Sequence, residues 1–348
     1  MRAVAELIAV LLLFALGYLI PLPGLDPDAV ARVAGPDGGL DQGMARLSIF
    51  ALGAVPLYAV LSWLEFGRLI FPGLVRWQAA SDRNAVRLWR VVVVLALALS
   101  AMQAQGIAEA LQAMGMVDET AGAFVPVAVS CCVGVTALLA WVSGHIRLPC
   151  AGAGYWVLLV APTLLLAPSS FLTTAEMFRI GALSVRDGLT VGVFIAAAVA
   201  LIVYANLLLA GAGSTRVPSL LSVSALLWPP FLSTTVSNAV MGAYVETWGS
   251  HTTGTIMGSK AALELVLIVL FTSLYRRMPV VEGENGRCLP LPVLLTVAGI
   301  QVVVCAGRDL AMSHFNWPQI PSGPLLIVLV TVMWACWARL RHRQGMVC

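Results

Sequence analysis

Apolar runs long enough to cross a bilayer recur along this chain and leave it few folds. Ten can be drawn, at residues 3–22, 47–71, 86–108, 122–146, 153–170, 188–211, 218–240, 256–277, 289–308 and 323–341. A hydrocarbon core about 30 Å thick is crossed by roughly 20 helical residues. Lipid admits only helices and closed barrels, because no water is present to pair a free backbone group. These runs are continuously apolar over helical length, so helices are expected. Of 348 residues, 60% are hydrophobic and 11% charged, and the mean hydropathy is +0.93, far above a soluble domain. The chain is expected to be an all-α, polytopic membrane protein with about ten transmembrane helices.

Charge placement orients it. With a cytoplasmic N-terminus, the inner loops and helix ends hold fourteen of the twenty basic residues, among them Arg68, Arg76, Arg83, Arg87, Arg90 and the tail arginines Arg339, Arg341 and Arg343. The positive-inside rule then puts both termini in the cytoplasm. The first run continues from Ala3 to Leu22 without a small-residue cleavage pattern and reads as a retained helix. A net charge of +3 is too small to imply nucleic-acid binding. The seven cysteines show no CxxC and no metal-ligand spacing with the four histidines. No G-x-S-x-G, P-loop or HExxH is present, and the loops are too short to carry a catalytic domain. No enzyme, catalytic residue, metal or cofactor is expected.

Ten helices divide into five plus five, 1–170 and 171–348, and an odd-numbered half followed by its copy must be inverted in the membrane. The first Gly/Pro break of each half falls in its second segment, at Gly53 and Pro56 and at Pro229 and Pro230. Such breaks survive in lipid where protein or a water-filled cavity satisfies the freed backbone. Ser233, Thr234, Thr235, Ser237 and Asn238 follow the second break and can satisfy its carbonyls or join neighbouring helices. Lys260 and Glu264 sit at i,i+4 spacing within the eighth run. They read either as an intrahelical pair or as a polar lining or proton-coupled site. Glu65 and Arg68, near the inner end of the second run, are expected to snorkel to the interface. The outer segment from Pro23 to Met44 is rich in Gly, Pro and Asp and reads as irregular or re-entrant.

Several stretches, in order, resemble the SecY family of bacterial protein-conducting channels. Ile20-Pro21-Leu22-Pro23-Gly24-Leu25-Asp26 resembles the family's IPIPGID, and residues 48–53 read SIFALG, followed by Pro56. Gln103, Gly106, Ile107 and Ala108 fall on a Q-x-x-G-I-A pattern. Trp141 follows in the fourth run, and Gly152 and Gly154 keep the spacing of G-I-G-N-G, with Ala153 at the asparagine. Arg216-Val217-Pro218 is similar to R-I-P, and residues 325–333, LLIVLVTVM, to LLIVVVVIM. Each apolar match alone is common in membrane helices; their collinear order over most of the chain is what carries the likeness.

The resemblance implies a pore closed by a ring of apolar side chains, a constriction that seals by dewetting. Position by position, the ring falls on Ala54, Tyr58, Tyr155, Leu159, Phe231 and Ile327, where the family has mostly isoleucine. It implies a lateral gate at the second, third, seventh and eighth helices, drawing on Gly53, Pro56, Gln103, Gly152, Gly154, Pro229 and Pro230. Gly152 and Gly154 serve either close helix packing or a bend of the fifth helix at the pore. The plug-like outer segment, 24–46, is short, and within it GPDGGLDQGMAR has glycines that disfavour a helix. The inner loops where ribosomes and the SecA motor dock on the family's channels are reduced to a few residues here, which implies weak or absent docking. The implied protein is a bacterial inner-membrane channel subunit moving or inserting a restricted set of polypeptides, in contact with membrane lipid and with SecE-like and SecG-like small subunits. Two other readings stay open: a secondary transporter or lipid-handling carrier with broken helices, and a non-conducting assembly component of the same fold.

Overall fold

The computed structural model describes residues 2–34, 42–118, 122–146, 154–212, 220–248, 253–278, 289–315 and 320–343. They form helices α1 (Arg2–Leu19), α2 (Pro27–Ala34), α3 (Gln42–Leu47), α4 (Val55–Ile70), α5 (Pro72–Ala79), α6 (Asp82–Ala113), α7 (Phe124–His145), α8 (Tyr155–Arg179), α9 (Val185–Ala212), α10 (Leu220–Trp248), α11 (Thr253–Leu274), α12 (Leu291–Phe315) and α13 (Gly323–Arg343). A 3-10 turn, Tyr275–Arg277, follows α11. Ten of the described helices, α1, α4 and α6 to α13, are 16 residues or longer, and each falls on one of the ten apolar runs. The described residues contain no strand, only isolated bridges of Pro21 with Ser48 and Leu25 with Val117. The all-α, many-helix expectation holds.

Several boundaries differ from the apolar pattern. α8 runs past residue 170 to Arg179, through Pro162 and Pro168, because apolarity marks depth in the bilayer and not where a helix stops. The second run is helical only from Val55, and at Phe71 the chain turns through 106° into α5. Pro72 disfavours helical backbone at Phe71 and opens α5 itself, where its missing N–H costs nothing. No residue of α5 is buried, and Trp77 is exposed beside Arg76, a pairing suited to a membrane–water interface.

Packing divides the chain into two compact units. One comprises Met1–Leu61, Arg87–Arg147 and Ala153–Glu176; the other comprises Ser62–Val86, Leu148–Gly152 and Met177–Cys348. This partition follows packing, whereas the division at residue 170 follows chain order.

In the first unit the segment after α1 is held from both sides. Leu22 N–H donates to the Leu47 carbonyl (2.9 Å) and Ile49 N–H to that of Ile20 (3.0 Å). Asp26 N–H donates to the Met116 carbonyl (3.0 Å) and Asp118 N–H to that of Gly24 (3.0 Å). Gly24, at φ 93°, makes the turn between these two pairings. Leu22, Leu25 and Leu47 then pack with Ala104, Ala108 and Phe124 in one core. A ring cluster lies beside it: Phe14 meets Tyr18 and Phe50 edge-on, at 5.9 and 5.3 Å between centroids. Gly17 passes beneath, where a Cβ would overlap the Phe50 ring.

The described parts of segment 24–46, residues 24–34 and 42–46, are more helical than the composition of the segment suggests. Asp26 Oδ1 accepts the Asp28 N–H (3.0 Å) and Pro27 occupies the first position of α2, a capped start that needs no long helix former. Within GPDGGLDQGMAR, residues 35–41 lie outside the described set and α3 begins at Gln42. Burial of Ala45 and Leu47 outweighs the low helix propensity of Gly43, worth about 1 kcal/mol. Asp26→Ala should lose about 1 kcal/mol of end stabilisation. This is expected as faster amide exchange in Pro27–Ala34 with no change in α7, and equal exchange in both variants would refute the cap.

Candidate functional site

In the first unit the break of the second run is resolved residue by residue. Ser48 is fully buried; its hydroxyl donates to the Ala45 carbonyl (2.9 Å) and accepts the Phe50 N–H (3.2 Å). Gly53 adopts φ 50° and Val55 N–H closes a turn on the Leu52 carbonyl (3.1 Å). Pro56 is the second residue of α4, where helices tolerate proline. The part of this run before α4 is therefore buried irregular backbone, and α4 supplies only about 24 Å of a crossing at 1.5 Å per residue. Ala54 is buried, and so is the hydroxyl of Tyr58.

Tyr58 and Tyr155 converge on a residue the sequence did not single out. Trp156, in the first turn of α8, is 2% exposed. Its ring lies 6.1 Å from Tyr58 and 5.0 Å from Tyr155 between centroids. Leu159, one turn beyond Tyr155, is half-buried. The two α4 and two α8 ring candidates thus share one unit, with Trp156 behind both tyrosines. Adjacency to Tyr155 was the only sequence hint of Trp156.

For Gly154 the structure favours packing of the two roles. A Cβ there would overlap the Ser143 carbonyl oxygen of α7 and come within 2.7 Å of Ile146 Cβ. Gly152 lies outside the described residues. Gln103 is half-buried on α6, with its Oε1 fully buried and no donor to it among the described residues. Nearby on that helix, Ser100 reaches Thr136 of α7 at 2.9 Å.

In the second unit α10 passes through Pro229 and Pro230, both buried. The hydroxyls after them do not reach the carbonyls the prolines release. Ser233 and Thr234 both donate to the Pro230 carbonyl (2.7 and 3.0 Å) and Thr235 to that of Phe231 (2.9 Å). The released carbonyls are met by Gln301 of α12, which donates to Ala225 (3.1 Å) and Leu226 (2.8 Å). Phe231 is half-buried and Ile327 of α13 is 1% exposed. One turn after Ile327, Thr331 accepts from Asn206 of α9 at 3.3 Å.

Two carboxylates of this unit, half-buried Glu264 and buried Glu65, are met by hydroxyls from other elements. Glu264 Oε1 accepts the Ser237 hydroxyl (2.8 Å) and faces Lys260 Nζ at 3.8 Å. The i,i+4 pair is present and is extended to α10. Glu65 does not snorkel: it is 3% exposed. It accepts from Tyr275 Oη (2.7 Å) and from Arg68 Nη1 (2.9 Å), while Arg68 Nη2 donates to Gln78 Oε1 (2.6 Å). Buried carboxylates persist when donors replace lost water, and here the turn after α11 brings one from 210 positions away in sequence. Among the described residues no three His, Cys, Asp or Glu side chains are grouped to hold a metal.

These helices define a polytopic, all-α membrane protein of the SecY fold. A solved SecY chain, described as one whose plug domain stabilises the closed state of the translocation channel and maintains a membrane seal, superposes with a TM-score of 0.59. The match covers 99% of this chain and 92% of that one at 9% identity. Among curated proteins, SecY of Buchnera aphidicola (subspecies Baizongia pistaciae) is 27% identical over 207 residues, 56% of this chain and 47% of that protein. SecY of Rickettsia typhi is 27% identical over 212 residues, 57% and 49% of the two chains. SecY of Staphylococcus epidermidis is 25% identical over 186 residues, 50% and 43%. The chain spans about half the length of the curated relatives it matches. No family model matches it. The chain thus has the SecY fold and, over about half its length, resembles curated SecY proteins in sequence.

Two measurements check this geometry. Gly154→Ala should destabilise the protein, because its new methyl meets backbone and not a mobile side-chain end; an unchanged thermal midpoint would remove Gly154 from the α7–α8 contact. Tyr275→Phe should cost about 1.5–3 kcal/mol, the range for a hydrogen bond to a charged group. In a double-mutant cycle with Glu65→Gln the two losses should be strongly coupled, and simple additivity would show that the bond contributes nothing.

Proposed function

We propose that this protein is a SecY-like protein-conducting channel subunit of a bacterial inner membrane that moves or inserts a restricted set of polypeptides. The observation that carries the reading is fold likeness along 99% of the chain, together with SecY-like motifs in the same order along its sequence. On this reading Ala54, Tyr58, Tyr155, Leu159, Phe231 and Ile327 form the apolar waist. The gate draws on Gly53, Pro56, Gln103, Gly152, Gly154, Pro229 and Pro230, and the halves 1–170 and 171–348 are inverted copies. A waist of this kind excludes ions because a narrow apolar constriction dewets, yet flexible side chains yield to a passing chain.

The departures from isoleucine have a physical complement. Ala54 gives up volume, while Tyr58 and Tyr155 add rings buttressed by Trp156. Tyrosine is amphipathic and closes a gap with its ring while its hydroxyl takes a hydrogen bond. The shortened inner loops carry few basic residues, so association with a ribosome or a SecA-type motor is weak or absent, and charge complementarity contributes little to it. SecE-like and SecG-like small subunits and membrane lipid complete the assembly, and both termini face the cytoplasm.

Photo-cross-linking side chains at Tyr58 and Ile327 are expected to trap a translocating or inserting polypeptide. Absence of adducts at both positions, with substrate present, would overturn conduction. Glu264→Gln should leave the adduct yield unchanged; loss of ion-coupled small-molecule uptake in that variant would instead establish the transporter reading.

A further inference from the structure

A proline inside a helix releases the carbonyl four residues before it, because it has no N–H to donate. For Pro229 that carbonyl belongs to Ala225 and for Pro230 to Leu226. These are the two carbonyls that the Gln301 side chain meets, at 3.1 and 2.8 Å through its single Nε2. Gln301 is fully buried. The amide orientation follows from chemistry: carbonyls only accept, so both Nε2 protons face α10 and Oε1 faces the other way. There it accepts the hydroxyl of buried Thr272 of α11, 2.8 Å away, a group that also lies 2.7 Å from the Ile268 carbonyl.

We infer that Gln301 is a positioning residue which replaces the two backbone donors missing at the double proline and thereby holds the break of α10 and the adjacent Phe231 in one conformation. No other neutral side chain of this length offers two donors in one plane with an acceptor behind them. Glutamate offers none when ionised, asparagine is one methylene short, and methionine matches the volume without any polar atom. The amide also joins α10, α11 and α12 at one point, so a movement of the break cannot leave α11 and α12 unaffected. In so far as α10 is a gate helix the inference rests on the channel reading; as a statement about how α10 is held it does not.

The test needs no substrate. Gln301→Met and Gln301→Glu are compared with the parent in the full chain, in nanodiscs, by thermal midpoint and by the 19F resonance of 4-fluorophenylalanine at position 231. The comparison is repeated with Pro229→Ala and Pro230→Ala, whose restored N–H groups bond Ala225 and Leu226 within the helix. With the prolines present, both variants should lower the midpoint and broaden or split the resonance. Without them, more than half of each effect should vanish, and each single proline replacement should recover part of it. Equal losses in both backgrounds, or none in either, would overturn the inference, as would parent-like behaviour of Gln301→Glu. Should Gln301→Met fail to fold, recovery of folded protein on removing the prolines supports the inference and continued failure overturns it. A failure of cross-linking at Tyr58 and Ile327 bears on the channel reading and leaves this result untouched.

Discussion

Every backbone donor and acceptor carried into hydrocarbon must find a partner inside the protein, since an unpaired group there costs several kcal/mol. Regular helices meet this requirement unaided, so the interest lies where the helix stops. Three arrangements satisfy it here. The segment 20–26 borrows partners from residues 47–49 on one side and 116–118 on the other. The irregular start of the second crossing turns inward around Ser48, whose hydroxyl both donates and accepts. At Pro229 and Pro230 the helix continues, and the missing donors arrive from another helix through Gln301.

Buried Glu65 and half-buried Glu264 obey the same rule at higher stakes. Glu65 and Glu264 each accept a neighbouring hydroxyl and face a cation on their own helix. The ion pairs are short-range and partly shielded; the hydroxyls come from other elements and so specify how helices meet. Such groups contribute less to net stability than their Coulomb energy suggests, because desolvation offsets most of it. Their effect is to penalise any packing in which the carboxylate is left without its donor.

Beside the SecY fold it shares, this chain is distinguished by short connections between its helices. The stretches 211–217 and 278–288 between apolar runs are only a few residues long. The helical frame tolerates such connections because crossing length and backbone satisfaction do not depend on loop size. That separation explains how 9% identity and a TM-score of 0.59 coexist.

The number of crossings and the positions of the long helices were legible in the sequence, since bilayer thickness imposes a length on apolar runs that single residues report. The break at Gly53 and Pro56 was legible too, because its chemistry is local, whereas the helix expected to break at Pro229 and Pro230 runs on through both. What supplies the missing donors was not legible. Nothing in residues 225–240 points to Gln301, and nothing near Glu65 points to Tyr275, 210 positions away. The hydroxyls beside the prolines were the natural candidates from sequence, yet their short side chains bond the carbonyls three and four residues back, at Pro230 and Phe231. Trp156 likewise acquires its place only when α4 and α8 pack. Composition and spacing determined that the chain crosses a membrane and where its backbone lacks a donor; only tertiary packing decided which distant side chain answers each unpaired group.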